Sequence, residues 1–325
     1  MRTIVRKKMA ETAADSLTQQ PSAFKTPQGE AIFLAAYDAA MRSWPVAYDS
    51  REIQNRFGTT HVVVCGPADA PPIVLLHGYW STLTMWTPNV ADLSRDHRVY
   101  AIDVIGQPGR SIPGEPMRTP ADTVAWLTAT LDGLLLDRIT LVGMSYGGWL
   151  ALNYALASPG RVHKLVLLSP AASFLPLVRQ FSLRGMLMVF VPTRFTVNSF
   201  MRWLGFGATL GPSNAVPELM YLGMKHFRIP RETAAVAPTV FSDADLRAMS
   251  VPTMLLIGER EVIYDPPSAL ARARRLLPDF EGDLVPQSSH EMCASQHGLV
   301  DRRILAFLQR TATRDTAEAP QRVVA

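Results

Sequence analysis

Short apolar runs recur along the chain, each bounded by Gly, Pro or Asp, and stretches with helical periodicity lie between them. The runs are IVLLHG (73–78), VYAIDV (99–104), ITLVGMS (139–145), KLVLLSP (164–170), TMLLIG (253–258) and EGDLVPQ (281–287). Continuous rather than alternating apolarity means burial on both faces, which predicts a parallel sheet between layers of helices. Among the intervening segments, Thr119, Pro120 and Asp122 supply an N-cap, a proline at the first helical position and an acid in the first turn ahead of VAWLTATLDGLLL. Upstream, AIFLAAYDAAMRSW (31–44) predicts a helix, and IQNRFGTTHVVVCG (53–66) predicts one or two antiparallel strands with a turn at Gly58. The pattern is that of an α/β protein with a doubly wound, mostly parallel sheet.

The alternation stops between Pro170 and Thr253, and a connection that long must hold structure of its own. It contains SFLPLVRQFSLRGMLMVFVPTRF, NSFMRWLGFG and PELMYLGMKHF, apolar helical segments broken by Pro192, Gly205, Gly211, Pro212 and Pro230. This predicts a helical cap inserted over the C-terminal edge of the sheet, where open α/β sheets bind ligands. The expected organisation is a loose N-terminal arm over 1–27, an α/β core over 28–172 and 246–313, the cap over 173–245, and a C-terminal tail over 314–325.

Composition narrows the class without naming a chemistry. With 48% apolar and 18% charged residues among 325, the chain is neither disordered, collagenous nor a coiled coil. A formal charge of +4, spread along the sequence, gives no reason to expect nucleic acid. No apolar run approaches the ~20 residues of a membrane span. Cys65 and Cys293 are too few for a disulfide framework and too far apart for a metal knuckle, which fits a reducing compartment. The start MRTIVRKKMAETAADSL is positive but lacks an apolar h-region and a cleavage site, so a cytoplasmic location is expected. No cluster with metal-ligand spacing or phosphate loop occurs, and Gly106 to Gly109 lacks the spaced triple glycine of a dinucleotide site; neither metal nor cofactor is expected.

The chemistry lies in Gly143-Met144-Ser145-Tyr146-Gly147-Gly148, directly after the buried run ITLV and directly before the helical run WLALNYALA. A serine on so sharp a strand-to-helix turn takes strained backbone geometry, and small residues two before and two after it avoid a clash. The turn lifts the hydroxyl above the sheet, with the positive end of the next helix facing it. A serine hydroxyl needs a base and an orienting carboxylate, in the chain order Ser, acid, His. Only His290 and His297 follow the later strands; His290, after LVPQSS, is favoured, and His297 fits a surface or capping position. After TMLLIG three acids compete: Glu261, three residues past Gly258, is favoured over Glu259, which suits the turn, and Asp265, which precedes two prolines and suits a helix cap.

The chain resembles the α/β-hydrolase superfamily, in its capped, cofactor-free serine branch of esterase-like enzymes. The resemblance covers roughly residues 57–312 and rests on His77-Gly78-Tyr79-Trp80, the stretch from Asp103 to Ser111, the turn at Ser145, and Gly258 to Glu261 with His290. It implies backbone N–H donors at Tyr79 and Tyr146 as an oxyanion hole, and loop-shaping roles for His77, Asp103 and Ser111. With a serine nucleophile the resemblance does not extend to the dehalogenases or epoxide hydrolases, and the missing third glycine after His77-Gly78 argues against the lipases with a Gly-rich oxyanion loop. Tyr79 and Trp80 instead predict an aromatic wall for the substrate pocket, with Trp80 a substrate-binding residue.

Six basic residues (Arg179, Arg184, Arg194, Arg202, Lys225, Arg228) face one acid, Glu218, between Ser173 and Pro230. They would either attract an anionic substrate or simply solvate helix faces, the latter favoured. Met186, Met188, Phe190, Phe200, Met201, Trp203 and Phe206 would line an adaptable pocket or pack the cap on the core. The expected partner is a small-molecule ester, thioester or lactone. The alternatives are carbon–carbon or amide hydrolysis or acyl transfer on the same triad, and a ligand receptor with slow turnover.

Overall fold

The apolar runs become strands of one sheet. The computed structural model describes residues 22–209, 215–228 and 236–310. Its strands are β1 (Tyr48–Asn55), β2 (Gly58–Cys65), β3 (Pro72–Leu76), β4 (Arg98–Ile102), β5 (Ile112–Pro113), β6 (Ile139–Met144), β7 (Val162–Leu168), β8 (Thr253–Gly258) and β9 (Phe280–Val285). The sheet runs in the order β1-β2-β4-β3-β6-β7-β8-β9, with β5 paired to β2. From β4 to β9 every neighbour is parallel, while β1, β2 and β5 add an antiparallel corner. β3, β6 and β8 are buried almost throughout, as their apolarity requires. EGDLVPQ differs: it forms the edge strand β9, half-buried along most of its length because it pairs on one side only. The β1–β2 turn falls on Arg56 and Phe57, and Gly58 opens β2 at φ +122°, where an added Cβ would lie 2.1 Å from the Ile112 carbonyl oxygen.

The helices are α1 (Pro27–Met41), α2 (Val90–Leu93), α3 (Pro120–Gly133), α4 (Tyr146–Ala157), α5 (Arg179–Phe190), α6 (Arg194–Trp203), α7 (Val216–His226), α8 (Asp243–Arg247), α9 (Pro266–Leu276), α10 (Met292–Ser295) and α11 (His297–Gln309). α1 begins earlier than its apolar pattern suggests, because Thr26 caps it by accepting from the Gly29 N–H. α3 starts where its sequence signal places it, with a reciprocal capping box between Thr119 and Asp122 worth about 1 kcal/mol. It buries Trp126, whose indole N–H donates to Thr60 Oγ1 on β2 (2.9 Å), and so covers one face of the sheet.

The segment between β7 and β8 carries α5, α6, α7 and α8. Of the helix breakers expected there, Gly211, Pro212 and Pro230 lie outside the described residues. α7 packs on α1, and Gly223 lets it approach Pro108: a Cβ there would lie 2.8 Å from the proline ring. The expected arm over 1–27 lies outside the described residues as far as position 21. Its last residues are bound down: Phe24 is buried between Phe33 and Phe227, the Lys25 N–H donates to the His226 carbonyl, and the Arg228 N–H donates to the Ala23 carbonyl (both 2.7 Å). The expected tail over 314–325 lies outside the described residues.

Candidate active site

Ser145 sits between β6 and α4 at φ 53° and ψ −115°, a backbone conformation that L-residues rarely adopt. Three bonds hold it there. Its N–H donates to the Leu168 carbonyl (2.9 Å), and its carbonyl accepts from the Ala171 N–H (2.9 Å) and the Trp149 N–H (3.1 Å). The flanking glycines are a steric necessity, since a Cβ at Gly143 would stand 2.2 Å from the Gly147 carbonyl oxygen. α4 runs away from the serine with Trp149, Ala151 and Leu152 fully buried, so the turn is anchored from below.

His290 follows β9 and comes to Ser145 from across the sheet. Its Nε2 lies 2.9 Å from Ser145 Oγ, and its Nδ1 lies 2.8 Å from Glu261 Oε2. A carboxylate accepts only, so Nδ1 carries the proton and Nε2 is left to accept from the serine hydroxyl. Glu261 is itself held from behind: its Oε1 accepts from the Val262 and Ile263 N–H groups (2.8 and 3.1 Å). Burial pushes the Glu261 carboxyl up, but the His290 imidazole and these loop donors outweigh it and hold the group below the usual carboxylate range.

The loops carrying acid and base are stitched together. The Arg260 N–H donates to the Ser288 carbonyl and Ser289 Oγ donates to the Arg260 carbonyl (both 2.8 Å). Gly258 lets them meet, because a Cβ there would lie 2.1 Å from the Ser289 carbonyl oxygen. The competing residues are placed elsewhere. Glu259 accepts from the Gln287 N–H (3.0 Å) and shapes the turn; Asp265 caps α9 through the Ser268 N–H (2.9 Å); His297 is exposed at the start of α11.

His77 and Asp103 form the loops opposite. The Val104 N–H donates to His77 Nε2 (2.9 Å), so Nδ1 carries the proton and donates to the Gly78 carbonyl (2.8 Å). Both ring nitrogens are occupied, and burial lowers the pKa, keeping the ring neutral. Asp103 is buried, accepting from the Leu83 N–H (2.9 Å), the Tyr37 hydroxyl (2.8 Å) and the Arg110 N–H (3.0 Å), with His61 Nδ1 at 3.2 Å. Ser111 donates to the Asp103 carbonyl (2.6 Å). The Trp80 N–H donates to Gln107 Oε1 (2.9 Å), with Trp80 at φ 56°. The Tyr79 and Tyr146 N–H groups donate to no acceptor among the described residues. Burial pushes both phenols above their ordinary range, so these rings stay neutral.

A cavity of about 520 Å³ opens over Ser145 and His290, walled by Tyr79 and Trp80 below and by Phe181, Met188, Phe200 and Met201 above. Among the described residues no Lys or Arg lines it, so the six basic residues counted in the sequence lie outside the cavity. Two of them are engaged at the surface, Arg194 with Glu218 and Arg184 over the Trp203 ring at 5.3 Å. Met186 and Phe190 do not line the cavity; they face outward. Sequence reasoning passed over Glu291, a buried acid lining the cavity beside His290. Its Oε1 accepts from Ser295 Oγ (2.9 Å) and its Oε2 lies against Gly205 at φ +103°. The signal available was an acid directly after the candidate base.

A sequence model of the alpha/beta hydrolase family matches residues 73–302. The chain is 36% identical to a protein named uncharacterized carboxylesterase nap from Bacillus subtilis (strain 168), over 85% of this chain and 91% of that one. It is 32% identical to carboxylesterase YbfK from the same strain, over 90% of this chain and 98% of that one. The crystal structure of naproxen esterase (carboxylesterase NP) from Bacillus subtilis superposes with a TM-score of 0.82 at 36% identity, covering 87% of this chain and 99% of that one.

Proposed function

The chain belongs to the alpha/beta hydrolase family, and from that premise we propose that it is a serine carboxylesterase cleaving small-to-medium carboxylic esters through an acyl-enzyme on Ser145. The observation that carries the reading is the unbroken hydrogen-bonded line from Ser145 Oγ through His290 to Glu261, lying beneath an apolar cavity. The names of its relatives, both carboxylesterases, support the reaction class.

In this mechanism His290 Nε2 takes the Ser145 proton as Oγ attacks the ester carbonyl carbon. The tetrahedral oxyanion is met by the Tyr79 and Tyr146 N–H groups, each worth about 3 kcal/mol in the transition state. Glu261, kept ionised, stabilises the imidazolium that forms. Collapse breaks the bond to the alcohol oxygen, which leaves with the proton from His290. Water, deprotonated by the same nitrogen, then attacks the acyl-enzyme and frees the acid and Ser145. The lining suits a neutral ester: it offers apolar walls and no cation, and Glu291 disfavours an anionic substrate. The inserted helices act as a cap over the acyl site, and the covered volume favours acyl chains of short to medium length. Cytoplasmic location belongs to the same proposal, supported by Cys65 and Cys293, both free and buried.

A serine-directed phosphonate tests the reading directly. Loss of activity should track one adduct, which peptide mapping places on Ser145. Labelling of a different serine with activity lost, or full activity in Ser145→Ala, would overturn it. Turnover of p-nitrophenyl esters from acetate to palmitate should peak at short or medium chains, and a maximum at the longest would remove the covered acyl site.

A further inference from the structure

α5 carries apolar side chains both towards the cavity and towards solvent, and its polar residues Arg179, Gln180, Ser182 and Arg184 are all exposed. One stripe of it, Phe181, Gly185, Met188 and Val189, lines the cavity. The opposite stripe, Leu183, Met186, Leu187 and Phe190, is exposed, with Phe190 at 76%. Both stripes follow the helical period, so the same twelve residues present apolar surface inward and outward. Val191 and Phe195 extend the outer stripe towards α6, and among the described residues most exposed large apolar side chains fall between Val178 and Phe195. A contiguous exposed patch of this kind marks a surface meant to be covered.

Charge identifies what covers it. From Ser173 to Pro217 the sequence holds Arg179, Arg184, Arg194 and Arg202 and no acid. All four are exposed, Arg179 and Arg184 on α5 itself and Arg194 and Arg202 on α6, and Arg194 is paired with Glu218, the acid that follows this stretch. Exposed apolar side chains interspersed with arginines complement a surface that is apolar in depth and negative at its boundary, which is an anionic lipid leaflet. A second copy of this chain would set the same arginines against each other. No described helix is long and apolar enough to cross a membrane, so the contact is one of lying on the surface.

We propose that the outer face of α5, with Val191 and Phe195, docks this protein on anionic lipid surfaces, bringing the cavity on the helix's inner face against the bilayer boundary. Leu183, Leu187 and Phe190 enter the acyl region, and Arg179 and Arg202 meet the headgroups.

The test is co-sedimentation of the full chain with phosphatidylcholine vesicles made with and without phosphatidylglycerol. Binding is expected to the anionic vesicles and to weaken as salt rises, since the headgroup attraction is screened. Leu183→Ser/Leu187→Ser/Phe190→Ser should lower the bound fraction about tenfold or more, as the apolar area that enters the lipid is removed. Arg179→Gln/Arg202→Gln should lower binding to anionic vesicles and leave the weaker binding to neutral ones. Both variants replace exposed residues outside the cavity, so hydrolysis of a soluble short ester should stay unchanged and report an intact fold. Absence of wild-type binding to anionic vesicles would overturn the proposal. So would binding that the triple variant retains, or sedimentation showing a dimer that the triple variant dissociates, which assigns the face to a second copy.

Discussion

Gly147 and Leu76 meet so closely that a Cβ on Gly147 would stand 2.1 Å from the Leu76 carbonyl oxygen. The first turn of α4 thus rests on the end of β3, and that contact sets the height of Ser145 above the sheet. Gly147→Ala should force α4 outward, destabilise the fold by about 3 kcal/mol and remove most activity by misplacing the serine. Gly160→Ala, where a Cβ would meet nothing within 4 Å, serves as the comparison and should change stability by less than about 0.5 kcal/mol. Urea unfolding measures both, and equal midpoints would show that the contact is not limiting.

His290→Ala should lower kcat/KM by about a thousandfold or more, because loss of the base disables the triad as a unit. His297→Ala should leave it nearly intact, that side chain being exposed at the start of α11. Glu261→Gln should cost far more than Glu259→Gln or Asp265→Asn, whose carboxylates serve a turn and a cap. The ranking decides the assignment, and a larger loss at Glu259 would move the acid.

What the sequence made legible is local and short-range. The glycines around Ser145 and the Thr119–Asp122 cap could be read because the backbone itself demands those residue types at those offsets. The pairing of Glu261 with His290 was legible only as a choice among candidates, since it depends on two loops meeting through Gly258 and Ser289. Least legible was the cap. Apolar helical patterns read as buried, yet Met186 and Phe190 face out, because pattern alone does not tell which partner covers a face. Thr26, Phe24 and Gln107 were missed for a related reason: each acts through one contact that periodicity does not record.

Asp301, at the centre of α11, should make stability depend on pH. It is fully buried, accepts from the Asn89 side-chain amide (2.8 Å), and burial pushes its carboxyl up from 3.8 to about 7. A raised folded-state value means the native state holds a proton that the unfolded chain has released. Its stabilising contribution is therefore complete below about pH 4 and lost as pH rises through about 7. Asp301→Asn mimics the protonated form, so it should stabilise at pH 8 by about 1–2 kcal/mol relative to the wild type, with the gain shrinking towards zero as pH falls to about 4. Thermal unfolding across that range checks it; a uniform shift at all pH values would detach the effect from ionisation.

Gly185 offers the sharpest handle on the acyl site. It lies inside α5 and lines the cavity, and a Cβ added there would meet nothing within 4 Å. Glycine within a helix costs about 0.5–1 kcal/mol relative to a good helix former, so Gly185→Leu should raise the unfolding temperature slightly. The same side chain fills space over Ser145. Medium acyl chains should then be excluded while short ones still fit, and the ratio of kcat/KM for p-nitrophenyl octanoate over butyrate should fall about tenfold or more, the usual scale for steric discrimination in an apolar pocket. The two readouts move in opposite directions, which separates a filled cavity from a damaged fold. If both esters lose activity equally while stability rises, the acyl chain does not lie under α5, and the covered-site reading fails.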